Sequence, residues 1–237
     1  MHNLMIHHHL GLGDHFICNG LVRYLFEARN PARLFLPTKN KYFHTVSRMF
    51  FDVPAIIPIP VNGDSDVAKL PQCALADEVL TIGFSQVKPE FDVSFYEMSG
   101  IPFSVRWSHF KAVRDPEREG SLEVKAGVHP KDRFILIHNI SSVGRFHFTT
   151  RNDLRKVYVS QLSDCMLDWC SLAEKADEVH CIDSSFIHLA QTLNIKRGFF
   201  HRVRPTETHF VLRDGWETVE YASRKPFWRS FGLGARY

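Results

Sequence analysis

Two short stretches, one near each end of the chain, pair a carboxylate with small or hydroxyl residues directly after an apolar run. The first is Gly11-Leu12-Gly13-Asp14, behind Leu4-Met5-Ile6 and a His7-His8-His9 run. Asp14 falls at or just inside the start of a helix, where a carboxylate either caps orphan backbone N–H groups or acts as a general base. A helix N-terminus stabilises the ionised form, so the expectation is a deprotonated but weakened base. Gly11 and Gly13 clear side chains from beside it and let a ligand approach the backbone. The fragment lacks the GxGxxG pattern of a dinucleotide turn.

The second stretch is Asp183-Ser184-Ser185, after Glu178-Val179-His180-Cys181-Ile182, with His188 one turn further on. Hydroxyls and free N–H groups at a helix start can hold phosphate oxygens, and they can equally form a simple cap. His188 can donate to a phosphate or a ribose, or be a packed core histidine. A third piece, Asn139-Ile140-Ser141-Ser142-Val143-Gly144-Arg145, offers Ser141, Ser142, backbone donors and the Arg145 guanidinium to a diphosphate. The other reading is a surface loop with a solvated arginine. The three histidines alternate in direction, so His7 and His9 share a side and can line a cleft beside Asp14. Neither they nor Asp64-Ser65-Asp66, in a Gly/Ser-containing connection, has the partner spacing of a metal site, and no metal is expected.

Both carboxylate turns need a buried strand in front and a helix behind. Strands are expected at residues 4–7, 33–36, 55–59 and 78–82, then at 133–139, 157–159, 177–183 and 197–203. The first helix runs to Arg29, with Ile17, Leu21, Tyr24, Leu25 and Ala28 on one face, and Asn30-Pro31 ends it. Further helices are expected at 39–51, 165–175 and 185–193. This alternation predicts an α/β fold with parallel sheets. Ligands in such folds sit outside the carboxyl ends of strands. Two such turns therefore predict two Rossmann-like domains facing a cleft, residues 1–125 and 126–237. The aromatic stretch 91–113 is expected to be a helical packing element. Residues 114–127, charged and containing Pro116 and Gly120, read as a hinge or linker. Residues 216–237 are expected to pack back across the domains.

Hydrophobic residues at 44% and charged residues at 23% fit a globular chain with a sizeable core. A net charge of +3, with Lys and Arg scattered outside a mildly basic tail (Arg224, Lys225, Arg229, Arg236), argues against a nucleic-acid partner. Five cysteines without a tight framework predict reduced thiols and a cytoplasmic protein. Neither a membrane span nor a signal peptide is expected.

Together these residues resemble the heptosyltransferase-like glycosyltransferases of the GT-B fold. The resemblance rests on Gly11-Leu12-Gly13-Asp14 followed by a helix and on Ile182-Asp183-Ser184-Ser185-Phe186-Ile187-His188-Leu189, with a looser polar loop carrying Arg145. It implies a transferase that moves a sugar from a nucleotide-sugar donor to a glycan or other hydroxyl acceptor, with inversion and without a metal, and, in a chain shorter than typical members, a second domain that is trimmed. Asp14 would be the base. Gly13, Ser141, Ser142, Arg145, Asp183, Ser184, Ser185 and His188 would form the donor site, with the nucleotide sugar as co-substrate and no separate cofactor. The alternatives are a fucosyltransferase-like or epimerase-like GT-B relative and a non-catalytic nucleotide-sugar or phospho-ligand binding protein. A methyltransferase is disfavoured, because no acidic residue follows residues 33–36 to hold a ribose.

Overall fold

The computed structural model describes residues 2–85, 89–150, 153–204 and 209–221. In the first half, β1 (Asn3–His8) leads into α1 (Leu12–Arg29), and β2 (Arg33–Lys39) runs through a short 3-10 turn into α2 (Phe43–Met49). Then come β3 (Ile56–Val61), the one-turn helices α3 (Asp64–Val67) and α4 (Pro71–Leu75), and β4 (Glu78–Ile82). The four strands are parallel, in the order β3-β2-β1-β4. Asn30 ends α1 in the left-handed conformation (φ 43°), its N–H closing on the Phe26 carbonyl at 3.0 Å. Asparagine tolerates that conformation, and Pro31 prevents continuation.

The aromatic stretch forms α5 (Phe91–Met98) and α6 (Val105–Ser108), which pack on α1. Where a hinge was expected stands α7 (Pro116–Lys125). Pro116 occupies its first turn, where proline is tolerated, and the Asp115 side chain caps it by accepting the Arg118 N–H. Pro116 therefore starts a helix here instead of breaking one.

The second half comprises β5 (Phe134–His138), a small hairpin of β6 (Ile140–Ser141) and β7 (Gly144–Arg145), β8 (Arg155–Tyr158), and a 3-10 turn running into α8 (Cys170–Lys175). Next are β9 (Glu178–Ile182), α9 (Ser185–Ala190), β10 (Gly198–Arg202) and β11 (Trp216–Glu220). Among the described residues these build a five-stranded parallel sheet, β11-β10-β9-β5-β8, beside the two-stranded hairpin. The expected trimming thus does not show in the sheet. What is short is the crossovers, with α8 and α9 of six residues each.

One hydrophobic core runs through both halves, from Leu4, Phe16 and Leu21 to Trp169, Val179 and Phe186. A smaller cluster under the first sheet holds Met5, Leu10, Phe35, Val61 and Val67. Helix α1 touches α5, α6 and α9, so it is enclosed on most sides instead of presenting one apolar face. None of the five cysteines is paired. Among the described residues no helix is long and apolar enough to cross a membrane. The expected packing of the tail beyond Tyr221, with its four basic residues, lies outside the described residues.

Candidate active site

Gly11 is the N-cap of α1, with extended backbone and no side-chain cap bond. Asp14 is the third helical residue, and its carboxylate turns back toward the Gly11 amide, the reciprocal half of a capping box. A side chain at position 11 would push that carboxylate from its place, so glycine leaves Asp14 room to turn back. Burial raises the Asp14 carboxyl to about 6, against the opposing pull of His9, the Gly11 amide and Lys39. The sequence expectation of a lowered, weakened base is corrected. Desolvation outweighs the helix terminus, and the result is a stronger base.

The histidine run separates into three roles. His9 bonds the Gly83 carbonyl through Nε2 at 2.7 Å, and its ring lies against Phe84 with centroids 4.4 Å apart. Gly83 has φ +90°, and a Cβ there would meet Phe95 at 2.6 Å, so glycine is required twice over. His8 donates Nδ1–H to the His9 carbonyl at 2.7 Å and packs edge-on against His15. His7 points to Asp64, with Nε2 3.5 Å from Oδ1, and Lys39 lies 4.0 Å from the other oxygen. Asp64 is therefore engaged by two basic side chains. Among the described residues no group of three or more His, Cys, Asp or Glu could hold a metal ion.

At the second turn the Ser184 hydroxyl lies 2.8 Å from His138 Nδ1 and 3.3 Å from the Ile182 carbonyl. It thus ties β9 to β5 and does not cap α9. The Asp183 carbonyl accepts from Arg204 Nη1 at 3.3 Å. His188 is enclosed, its pKa held well below the ordinary value by burial, so it is neutral at physiological pH. Its ring meets the first turn, because a Cβ on Gly13 would sit 3.2 Å from His188 Cδ2 and 3.5 Å from Ser185 Cα. The two carboxylate turns, far apart in sequence, thus touch through Gly13, Ser185 and His188.

The third piece does not join them by direct contact. Strands β5 and β9 end side by side (His138↔Cys181), so the β6–β7 hairpin leaves the same sheet edge as Asp183. Ser141 Oγ accepts the Val143 N–H at 3.2 Å, and Ser142 and Arg145 are exposed. Sequence reasoning missed Asp92 and Arg106, both fully buried, with Arg106 Nη2 3.3 Å from His188 Nδ1. Their only sequence signal is charge inside an otherwise aromatic stretch. A surface depression of about 530 Å³ lined by Arg118, Gln161 and Asp164 lies on the α7 flank, away from Asp14.

No protein-family profile and no curated protein matches the sequence. Solved structures do share the fold. One is the glycosyl transferase family 9 protein from Veillonella parvula DSM 2008, with a TM-score of 0.65 and 10% identity over 94% of this chain and 88% of that one. Another is the E. coli ADP-heptose LPS heptosyltransferase II, with a TM-score of 0.57 and 12% identity over 92% of this chain and 90% of that one. At these identities the likeness is one of fold.

Proposed function

We propose that this protein is a glycosyltransferase that moves a sugar from a nucleotide-sugar donor to a hydroxyl acceptor, with inversion at the anomeric carbon. The observation that carries this reading is the meeting of the Gly13-Asp14 turn with Ser185 and His188 across two parallel sheets. The fold shared with two glycosyltransferase structures adds to it. In this reading residues 1–125 bind the acceptor and residues 126–237 bind the donor.

Asp14 takes the proton from the acceptor hydroxyl, and the acceptor oxygen attacks the anomeric carbon. The bond from that carbon to the diphosphate oxygen breaks on the opposite face, so a single displacement inverts configuration. A carboxyl near 6 is ionised at neutral pH yet more basic than an ordinary aspartate, which suits a general base. The leaving diphosphate gains charge, and fixed donors stabilise it without reorganising. Those donors are His188, the Ser184 and Ser185 amides, the Ser185 hydroxyl, the Asp183 backbone and Gly13, with Ser141, Ser142 and Arg145 reaching in from the hairpin. Helix α9 is only six residues long, so side chains carry more of this task than a helix dipole does.

A thermal-shift panel of nucleoside diphosphates and nucleotide sugars, followed by turnover with sugar acceptors, tests the reading. Stabilisation by one nucleotide series and release of its diphosphate in the presence of acceptor are expected. Stabilisation without turnover against any acceptor would favour the non-catalytic binding protein. A shift with S-adenosylmethionine alone would overturn the transferase reading.

A further inference from the structure

The buried cluster under the two turns has a directionality that its distances define. Asp92, on α5, is fully enclosed and accepts the Val93 and Val211 N–H groups, each at 3.0 Å. It is ion-paired with Arg106 Nη1, on α6. The guanidinium lies over the Trp107 ring at 4.3 Å and reaches His188 Nδ1 with its other terminal nitrogen at 3.3 Å. The His188 ring is also held edge-on by Phe91 and Phe210.

An arginine in a protein only donates. His188 Nδ1 must therefore accept, and the neutral ring must carry its proton on Nε2. The Cδ2–Nε2 edge is the one that faces Gly13, since a Cβ there would lie 3.2 Å from Cδ2 and 3.7 Å from Nε2. We propose that Arg106, anchored by Asp92, is a positioning residue that fixes His188 as its Nε2–H tautomer and aims that N–H at the Gly13–Ser185 seam as a donor to a diphosphate oxygen. The identity of the ligand rests on the transferase reading above; the tautomer does not. The arrangement has a physical advantage. The cation stays behind the ring in the core, while the ring offers the ligand a fixed neutral donor that need not be desolvated from a charged state.

The test is long-range 1H–15N correlation spectroscopy of the imidazoles in the full-length protein at pH 7, with His188 assigned by the signals lost in His188→Gln. A pyrrole-type Nε2 and a pyridine-type Nδ1 are expected in the wild type. Arg106→Met combined with Asp92→Asn removes the donor without leaving a buried carboxylate unpaired. Arg106→Lys is the second variant, keeping the ion pair but lacking the fork that spans both partners. Both are expected to lose the fixed tautomer and to weaken ADP, UDP or GDP binding about tenfold by calorimetry. A wild-type His188 protonated on Nδ1, or an unchanged tautomer in both variants, would overturn the inference. A changed tautomer with unaltered nucleoside diphosphate affinity would overturn its ligand-facing half. Failure of every nucleoside diphosphate to bind the wild type would instead sink the transferase reading and leave the tautomer result to decide the positioning role.

Discussion

Burial and the helix terminus pull on Asp14 in opposite directions. The carboxyl stands near 6 against an ordinary 3.8, and two pKa units correspond to about 3 kcal/mol, whereas a helix N-terminus returns about 1–2 kcal/mol. Desolvation wins. Asp14→Asn is expected to lower turnover by roughly 10²–10⁴-fold while leaving nucleoside diphosphate affinity nearly unchanged. Initial rates and calorimetry check both halves, and retained transfer would remove Asp14 as the base. Wild-type turnover should decline as pH falls through about 6. The stability consequence has the opposite sense. The folded-state pKa is raised, so the native protein holds the extra proton between about 4 and 6 and loses stability as pH rises through that window. With solvent screening and the lost cap discounted, Asp14→Asn should be more stable than wild type by about 1 kcal/mol at pH 7.5 and no more stable at pH 4. Urea melts at the two pH values measure this. Sequence spacing singled out Asp14, but the sign of its shift depends on enclosure by residues distant in the chain, which spacing does not report.

Helix α1 shows the same division at the next scale. Its start at the glycine turn and its stop at Asn30-Pro31 were legible from local chemistry alone. Its surroundings were not: Gly20 reads locally as a mid-helix defect worth about 1 kcal/mol relative to alanine. In the fold, a Cβ at Gly20 would lie 2.5 Å from the Val105 carbonyl oxygen and 3.0 Å from that of Arg106. The glycine lets α6 lie against α1 and so places Arg106. Overpacking against rigid backbone costs about 1–3 kcal/mol, more than the propensity gain returns. Gly20→Ala is expected to be destabilised by about 1–2 kcal/mol, read as a lower urea midpoint with an unchanged m-value. A more stable Gly20→Ala protein would mean that α6 does not bear on α1. Helix α7 was misread for a related reason. Proline marks both helix starts and breaks, and only the Asp115 cap with the Arg118–Asp168 pair decides which.

Across the whole molecule, the halves are joined by shared core and by buried charge. Asp168 is enclosed and accepts from Arg118 Nη2 at 2.8 Å, with Arg48 of the first half 3.4 Å away. With one core spanning both sheets, unfolding followed by tryptophan fluorescence and by far-UV circular dichroism should coincide in a single transition. Two separated transitions would show that the halves are independent. Buried histidines set the pH dependence. Burial lowers His8 and His138 to about 4 and His201 to about 3, and holds His15 and His188 well below their ordinary value. A base with a depressed folded-state pKa contributes stability that is full above about 6.5 and lost as pH falls toward its folded value, up to about 2 kcal/mol per group at pH 5. Asp14 and Asp92, whose carboxyls burial raises, run the other way, but the lowered histidines outnumber them. The melting temperature should therefore drop by roughly 10 °C or more between pH 7 and pH 5. A flat profile would mean that these rings reach solvent.

Local chemistry in the sequence determined where α1 begins and ends and where the main parallel strands lie, because apolar period, caps and proline act within a few residues. It also singled out the two carboxylate turns. Only the tertiary structure decided that these turns meet through Gly13 and His188, that burial makes Asp14 more basic, and that Arg106 stands behind the His188 ring. Each of those depends on which surfaces exclude water and which backbones approach within a few ångströms, and such distances arise only when separated segments pack.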